Sequence, residues 1–162
     1  MSETKHRVVI LGGGFGGLQA ARQLNGADVE VTLIDRENHH LFQPLLYQVA
    51  TASLAPGSIA MPIRGVLSGQ KNLRVILGEA SELDRERQTV VLKDGESIPY
   101  DSLVISVGCR TNYFGHEEDW APHAPGLKSV RDAIDIRERI LLAFEAAERS
   151  DDANVRARLT TF

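Results

Sequence analysis

"RVVILGGGFGGLQAARQL", from Arg7 to Leu24, passes from an apolar strand through a burst of glycine into a helix. Arg7–Leu11 reads as a short strand in which Val8 to Leu11 are apolar without a break, the pattern of burial on both faces. From Phe15 to Leu24, Leu18, Ala21 and Leu24 fall on one helical side. "ADVEVTLID" then alternates Val29, Val31 and Leu33 and adds Ile34, which reads as a second strand. Strand, helix and strand within about 30 residues make a βαβ unit, whose two strands run parallel. This unit sets the fold class as α/β with a parallel sheet, Rossmann-like in its strand–helix–strand opening.

Gly12, Gly14 and Gly17 satisfy G-x-G-x-x-G, and each has a distinct physical task. Gly12 allows the tight exit from the strand. Gly14, lacking a side chain, lets a pyrophosphate approach the backbone, and Gly17 lets helix and strand pack closely. The helix N-terminus offers N–H groups and a partial positive charge to the phosphates. Asp35 stands at the end of the second strand, 23 positions after Gly12, where a carboxylate grips a ribose diol. It is expected at an exposed strand end. The turn alone does not separate NAD from FAD.

Composition is that of a globular protein: 162 residues, 43% hydrophobic and 25% charged, with a formal net charge of −4. No basic run is present, which argues against a sequence-independent nucleic-acid binder. No apolar run reaches the roughly 18 residues needed to span a bilayer. The single cysteine, Cys109, leaves no C-x-x-C redox pair and points to a reducing, cytoplasmic setting. It is expected as a partly buried small residue after a strand. Asp and His occur without metal-site spacing, so no metal ligand is assigned.

The remainder departs from a simple repeat of βαβ units. "RENHHLFQPLLYQVATASLAPG" is too apolar for a solvated loop and is broken by Pro44 and Pro56. It reads as a long buried connection with a helical turn near Leu45–Ala50, and connections of this length are usually functional. Ser58 is expected to cap a short helix through Leu67 that carries Pro62 near its start. Leu73–Leu77 reads as a strand. Alternating segments at Ala80–Leu83 and Thr89–Leu92, split by "DRER" and "KDGE", predict a small antiparallel meander. Ser102–Val107 is expected to return to the main sheet. Ser129–Arg149 is a helix with Ser129 and Asp132 as its cap. Its expected apolar face is Val130, Ala133, Ile134, Ile140, Leu141, Phe144 and Ala147. The closing "RLTTF" reads as the beginning of a strand. The long connection followed by a meander suits a flavoprotein, in which an elongated FAD crosses the domain from the glycine turn.

At "HHLFQPLLYQVATASLAPGSIAMPIR" the sequence resembles the type II NADH dehydrogenases (NADH:quinone oxidoreductases) of the two-dinucleotide-binding flavoprotein superfamily. The resemblance extends over "VVILGGGFGGLQAA", "VTLIDRENHHLFQPLLYQVA", "YDSLVISVGCRTNYFG" and "PGLKSVRDAIDIRERILLAFEAAE", nearly the whole chain. It implies FAD held by Gly12, Gly13, Gly14, Phe15, Gly16 and Gly17, with Asp35 and Arg36 at the adenosine ribose. His40 and the segment Gln43–Ala50, including Pro44 and Leu45, would lie along the cofactor toward its flavin end. Ala80 would meet the adenine through its backbone. "VISVG" takes the place of the family's A-T-G turn, with Gly108 passing close to the cofactor and Ser106 and Val107 departing from the usual residues.

The resemblance also implies a division at residue 110. Residues 1–110 would be the N-terminal part of an FAD-binding domain, and 111–162 a loop and helix leading toward an NADH-binding domain. Family members are more than twice this long, so the sequence resembles an N-terminal fragment, expected to be inactive alone and prone to self-association. The parent enzyme would pass electrons from NADH through FAD to a quinone, with no catalytic side chain demanded. It would be cytoplasmic, peripheral on the inner face of the cell membrane through a C-terminal part. Two other readings stay open: an FAD-dependent reductase of a small redox protein, and a nucleotide-binding module without turnover.

Overall fold

A computed structural model describes residues 5–162. The chain divides into two compact units, one of residues 5–40 and Met61–Cys109, the other of Leu41–Ala60 and Arg110–Phe162. Both units are discontinuous in sequence, since the segment Leu41–Ala60 groups with the C-terminal stretch.

The first unit is built on four parallel strands: β1 (His6–Leu11), β2 (Val29–Asp35), β5 (Leu73–Leu77) and β9 (Ser102–Ile105). Their order is β5-β2-β1-β9. Val8 lies opposite Val31 and Ile10 opposite Leu33, while Val9 faces Leu103 of β9. Helix α1 (Phe15–Gln23) crosses from β1 to β2. Short strands β3 (His39–Leu41) and β4 (Ala60–Pro62) carry the chain out of the unit and back, and α3 (Ile63–Val66) follows.

The uninterrupted apolar run of β1 has a direct structural reason, because its two faces serve two cores. Val8 and Ile10 pack with Leu18 and Ala21 of α1, with Val31 and Leu33, and with Ile63 and Leu67. Val9 and Leu11 pack with Ile34 and with Val90, Leu92, Ile98 and Tyr100. Val90, Leu92 and Ile98 come from the antiparallel sheet β6 (Ala80–Asp84), β7 (Thr89–Leu92) and β8 (Ser97–Pro99), which is the expected meander, and Tyr100 directly follows β8. Asn72 fixes the end of α1 relative to β2, its amide lying within donating distance of the carbonyls of Leu24 (2.9 Å), Ala27 (3.2 Å) and Val29 (3.2 Å).

The second unit pairs α2 (Leu46–Ala50) with the long α5 (Val130–Glu148). Leu46, Val49, Ala50 and Ile59 pack with Ala133. Ser129 and Asp132 form a reciprocal capping box at the start of α5, as the sequence predicts. A short helix α4 (Glu117–Trp120) precedes it and α6 (Ala153–Leu159) follows it.

Several expectations are corrected. The closing residues form no strand: Asp152 caps α6 by accepting from the N–H groups of Asn154 and Val155, and the Ala, Arg and Leu that follow are good helix formers. No helix runs from Ser58 to Leu67. Ser58 ends a 3-10 turn that begins at Pro56, Ala60–Pro62 is extended, and the helix starts only at Ile63. The residue before a proline is pushed out of the helical region, which keeps Met61 extended and defers the helix past Pro62. The connection after β3 is only partly buried, with Phe42 and Tyr47 exposed beside buried Leu46, Val49 and Ala50. On α5 only Ala133 and Ala147 are fully buried, while Ile134, Leu141 and Phe144 remain exposed. Cys109 is exposed as well, because β9 ends at Ile105 and the chain beyond it leaves the sheet.

Candidate functional site: the glycine turn at the end of β1

Gly12 leaves β1 with φ +98°, a conformation that glycine adopts without strain. Its N–H donates to the Ile34 carbonyl of β2 at 2.8 Å. A Cβ on Gly12 would collide with the carbonyl of Ser106, just past the end of β9. One on Gly17 would collide with the Gly12 carbonyl. Glycine at these two positions is therefore demanded by the fold itself, where strand, turn and helix meet.

Gly14 is different. It is the N-cap residue of α1 with φ −69°, is exposed, and a Cβ there would meet nothing within 4 Å. Neither backbone conformation nor packing requires glycine at this position. The space in front of it is open, and among the described residues no side chain caps α1 and no acidic residue occupies its first turn. The first turn of a helix carries N–H groups that lack intrahelical partners and a partial positive charge. An anionic group fits that place.

Three side chains hold the turn from behind. Asp35, at the end of β2, accepts from the Gly13 N–H through Oδ2 and from the Glu37 N–H through Oδ1 at 2.7 Å. It is half-buried, not the exposed strand end expected from the sequence, because the turn folds onto its carboxylate. An ionised carboxylate offers about four lone-pair sites, so two remain for a ligand's hydroxyls. His40, on β3, bonds through Nδ1 to the Gly13 carbonyl at 3.0 Å. A carbonyl can only accept, so this nitrogen carries the proton. The Phe15 ring meets the imidazole edge-to-face, with centroids 5.1 Å apart. Ser106 places its hydroxyl 2.8 Å from the Leu11 carbonyl and 3.1 Å from the Gly12 carbonyl.

Of the residues singled out in the sequence, Gly12 to Gly17, Asp35 and His40 form one contiguous cluster. Arg36 follows on β2's end and is exposed. Ala80 begins β6 and packs partly buried against the Val90–Leu92 core. Gly108 has φ +68° with open space about it. Pro44 and Leu45 lie in a 3-10 turn over Gln43–Leu45, which belongs to the second unit. Ser106 was not among the candidates; its only sequence signal is a hydroxyl residue where the resembling family carries Ala. Among the described residues no group of His, Cys, Asp and Glu is placed to hold a metal ion. No helix among them is long and apolar enough to cross a membrane.

A family model described as pyridine nucleotide-disulphide oxidoreductase matches residues 6–145. Over 161 residues the chain is 52% identical to the type II NADH:quinone oxidoreductase Ndh of Mycobacterium tuberculosis, an alignment covering 98% of this chain and 35% of that protein. It is 53% identical to NdhA of the same organism, covering 98% of this chain and 34% of the relative. The structure of NDH2 from Plasmodium falciparum in complex with NADH superposes with a TM-score of 0.78 at 25% identity, over 94% of this chain and 32% of that one. The chain spans about a third of the length of the curated relatives it matches.

Proposed function

The chain belongs to the pyridine nucleotide-disulphide oxidoreductase family, and on that premise we propose that its glycine turn holds the ADP half of FAD within an NADH:quinone oxidoreductase. The observation that carries this reading is Gly14, a glycine with ordinary φ and open space before it, at the uncapped start of α1. The residues fit the group. The backbone of Gly13 to Gly17 would meet the diphosphate, and the spare lone pairs of Asp35 would accept from the ribose hydroxyls. Arg36, Ala80 and Gly108 are the further cofactor contacts proposed on the first unit, while the proposal for Pro44 and Leu45 rests on the family resemblance alone.

Bound FAD supplies hydride and electron transfer, while the chain's own residues bind and orient it. The names of the Mycobacterium relatives support NADH as donor and a quinone as acceptor. A cytoplasmic setting with peripheral contact at the inner face of the cell membrane belongs to the same reading. So does self-association of the 162-residue chain through the exposed Ile134, Leu141 and Phe144 of α5.

The test is Gly14→Ala in the 162-residue chain. A methyl at the N-cap costs roughly 1 kcal/mol of stability. It stands where the diphosphate would approach, so ADP and FAD affinity should fall at least about tenfold, a change of about 1.4 kcal/mol. Calorimetric titration with ADP, FAD and FMN reads this directly. Unchanged ADP affinity, or FMN bound more tightly than FAD, overturns the proposal, because FMN lacks the adenosine half.

A further inference from the structure

Two consecutive peptide planes of the glycine turn are each gripped by side chains from flanking strands or their ends. The described peptide bonds include no cis form, so the C=O and N–H of each plane point in opposite directions. In the Gly12–Gly13 plane the carbonyl faces the Ser106 hydroxyl at 3.1 Å, and the N–H at the other edge donates to Asp35. In the Gly13–Gly14 plane the carbonyl accepts from His40 Nδ1 at 3.0 Å. The opposite edge of that plane is the Gly14 N–H, which is thereby turned away from His40, and Gly14 itself is exposed. Phe15 braces the imidazole edge-to-face.

We propose that Ser106 and His40 are positioning residues which, with Asp35, lock these two planes and pre-aim the Gly14 N–H at a diphosphate. The inference rests on the nucleotide reading above and gives His40 a role different from contact near a flavin. Neither side chain needs to touch the ligand. Each acts by stopping a flexible glycine peptide from rotating, and so removes an ordering cost otherwise incurred at binding.

The Ser106 hydroxyl has a competing use, because the Leu11 carbonyl is nearer at 2.8 Å. If it served only that strand end, its loss would lower stability without touching the turn. Three variants separate the cases. Ser106→Ala deletes one oxygen and adds nothing. His40→Leu deletes the donor, and His40→Asn returns an amide N–H near the place of Nδ1. For each, NMR titration of the 162-residue chain gives ADP and adenosine affinities, hydrogen exchange reads the Gly13 and Gly14 amides without ligand, and a thermal melt reads stability.

The expected result is a loss of ADP affinity of about fivefold to tenfold for Ser106→Ala and His40→Leu, the effect of one neutral hydrogen bond. Adenosine affinity should stay within about twofold, and His40→Asn should recover most of the ADP loss. Parallel losses for ADP and adenosine with a lowered melting temperature would make the role structural and overturn the proposal. So would variants whose ADP affinity and Gly13 exchange match the wild type while the wild type binds ADP. Failure of the wild-type chain to bind ADP at all would instead overturn the nucleotide reading, and this inference with it.

Discussion

Asp35 serves the fold and the proposed site through the same two oxygens. Its carboxylate accepts from Gly13 and Glu37, so its removal leaves one N–H in the turn and one just past β2 without their acceptor. Asp35→Ala should therefore lower stability by roughly 1.5–3 kcal/mol, the range for hydrogen bonds to a charged group. ADP affinity should fall in the same variant. Melting curves and ADP titration of Asp35→Ala beside Asp35→Asn check this, since Asn keeps one acceptor oxygen. A melting temperature unchanged in Asp35→Ala would return the residue to the exposed strand end first expected. The glycines and Asp35 were legible because their spacing is a local pattern. The load on Asp35 was not, because it depends on where the turn lands after folding. The Ser106 hydroxyl was hidden for a similar reason: nothing near it in sequence marks a partner 94 positions away.

Among the elements, β1 is held to the turn before β9 by an ion pair that the sequence pattern does not reveal. Arg7 donates to Asp101 through Nε at 3.1 Å, Nη2 at 2.8 Å and its backbone N–H at 2.7 Å. The Arg7 guanidinium and N–H hold the Asp101 carboxyl well below the usual carboxylate range. A carboxylate whose pKa is depressed on folding contributes its full stability above the unfolded value of about 3.9. That contribution declines as pH falls below it toward the folded value. Asp101→Asn should thus lower the urea midpoint at pH 7, and the gap to the wild type should narrow steadily below about pH 4. A gap constant between pH 7 and pH 3 would remove the ion pair as its cause. The strands themselves were readable, because burial on both faces writes an apolar run and the meander writes an alternation. The end of the chain misled: "RLTTF" has strand-like residues, but Asp152 lies upstream as a helix cap and decides the conformation.

At the scale of the whole molecule, the chain aligns with about a third of each Mycobacterium relative. Within its described residues one strand–glycine–helix turn, at Gly12 to Gly17, is the place the proposal gives to a dinucleotide. Hydride transfer between two nucleotides needs a place for each, held face to face. Orientation of that kind is worth up to about 7–11 kcal/mol of barrier. On the proposed reading FAD occupies the one glycine turn found among the described residues, and NADH that meets the flavin without a second such turn among them forgoes most of that advantage. NADH oxidation by the 162-residue chain, at saturating FAD with a soluble quinone, should therefore stay below a tenth of the rate of the Mycobacterium relative assayed beside it. The comparison is made at equal flavin occupancy, so that weak cofactor binding does not masquerade as lost chemistry. Turnover within tenfold of the relative would mean that a donor site lies within these residues, and the glycine turn would then have to be reconsidered as the place where NADH itself binds.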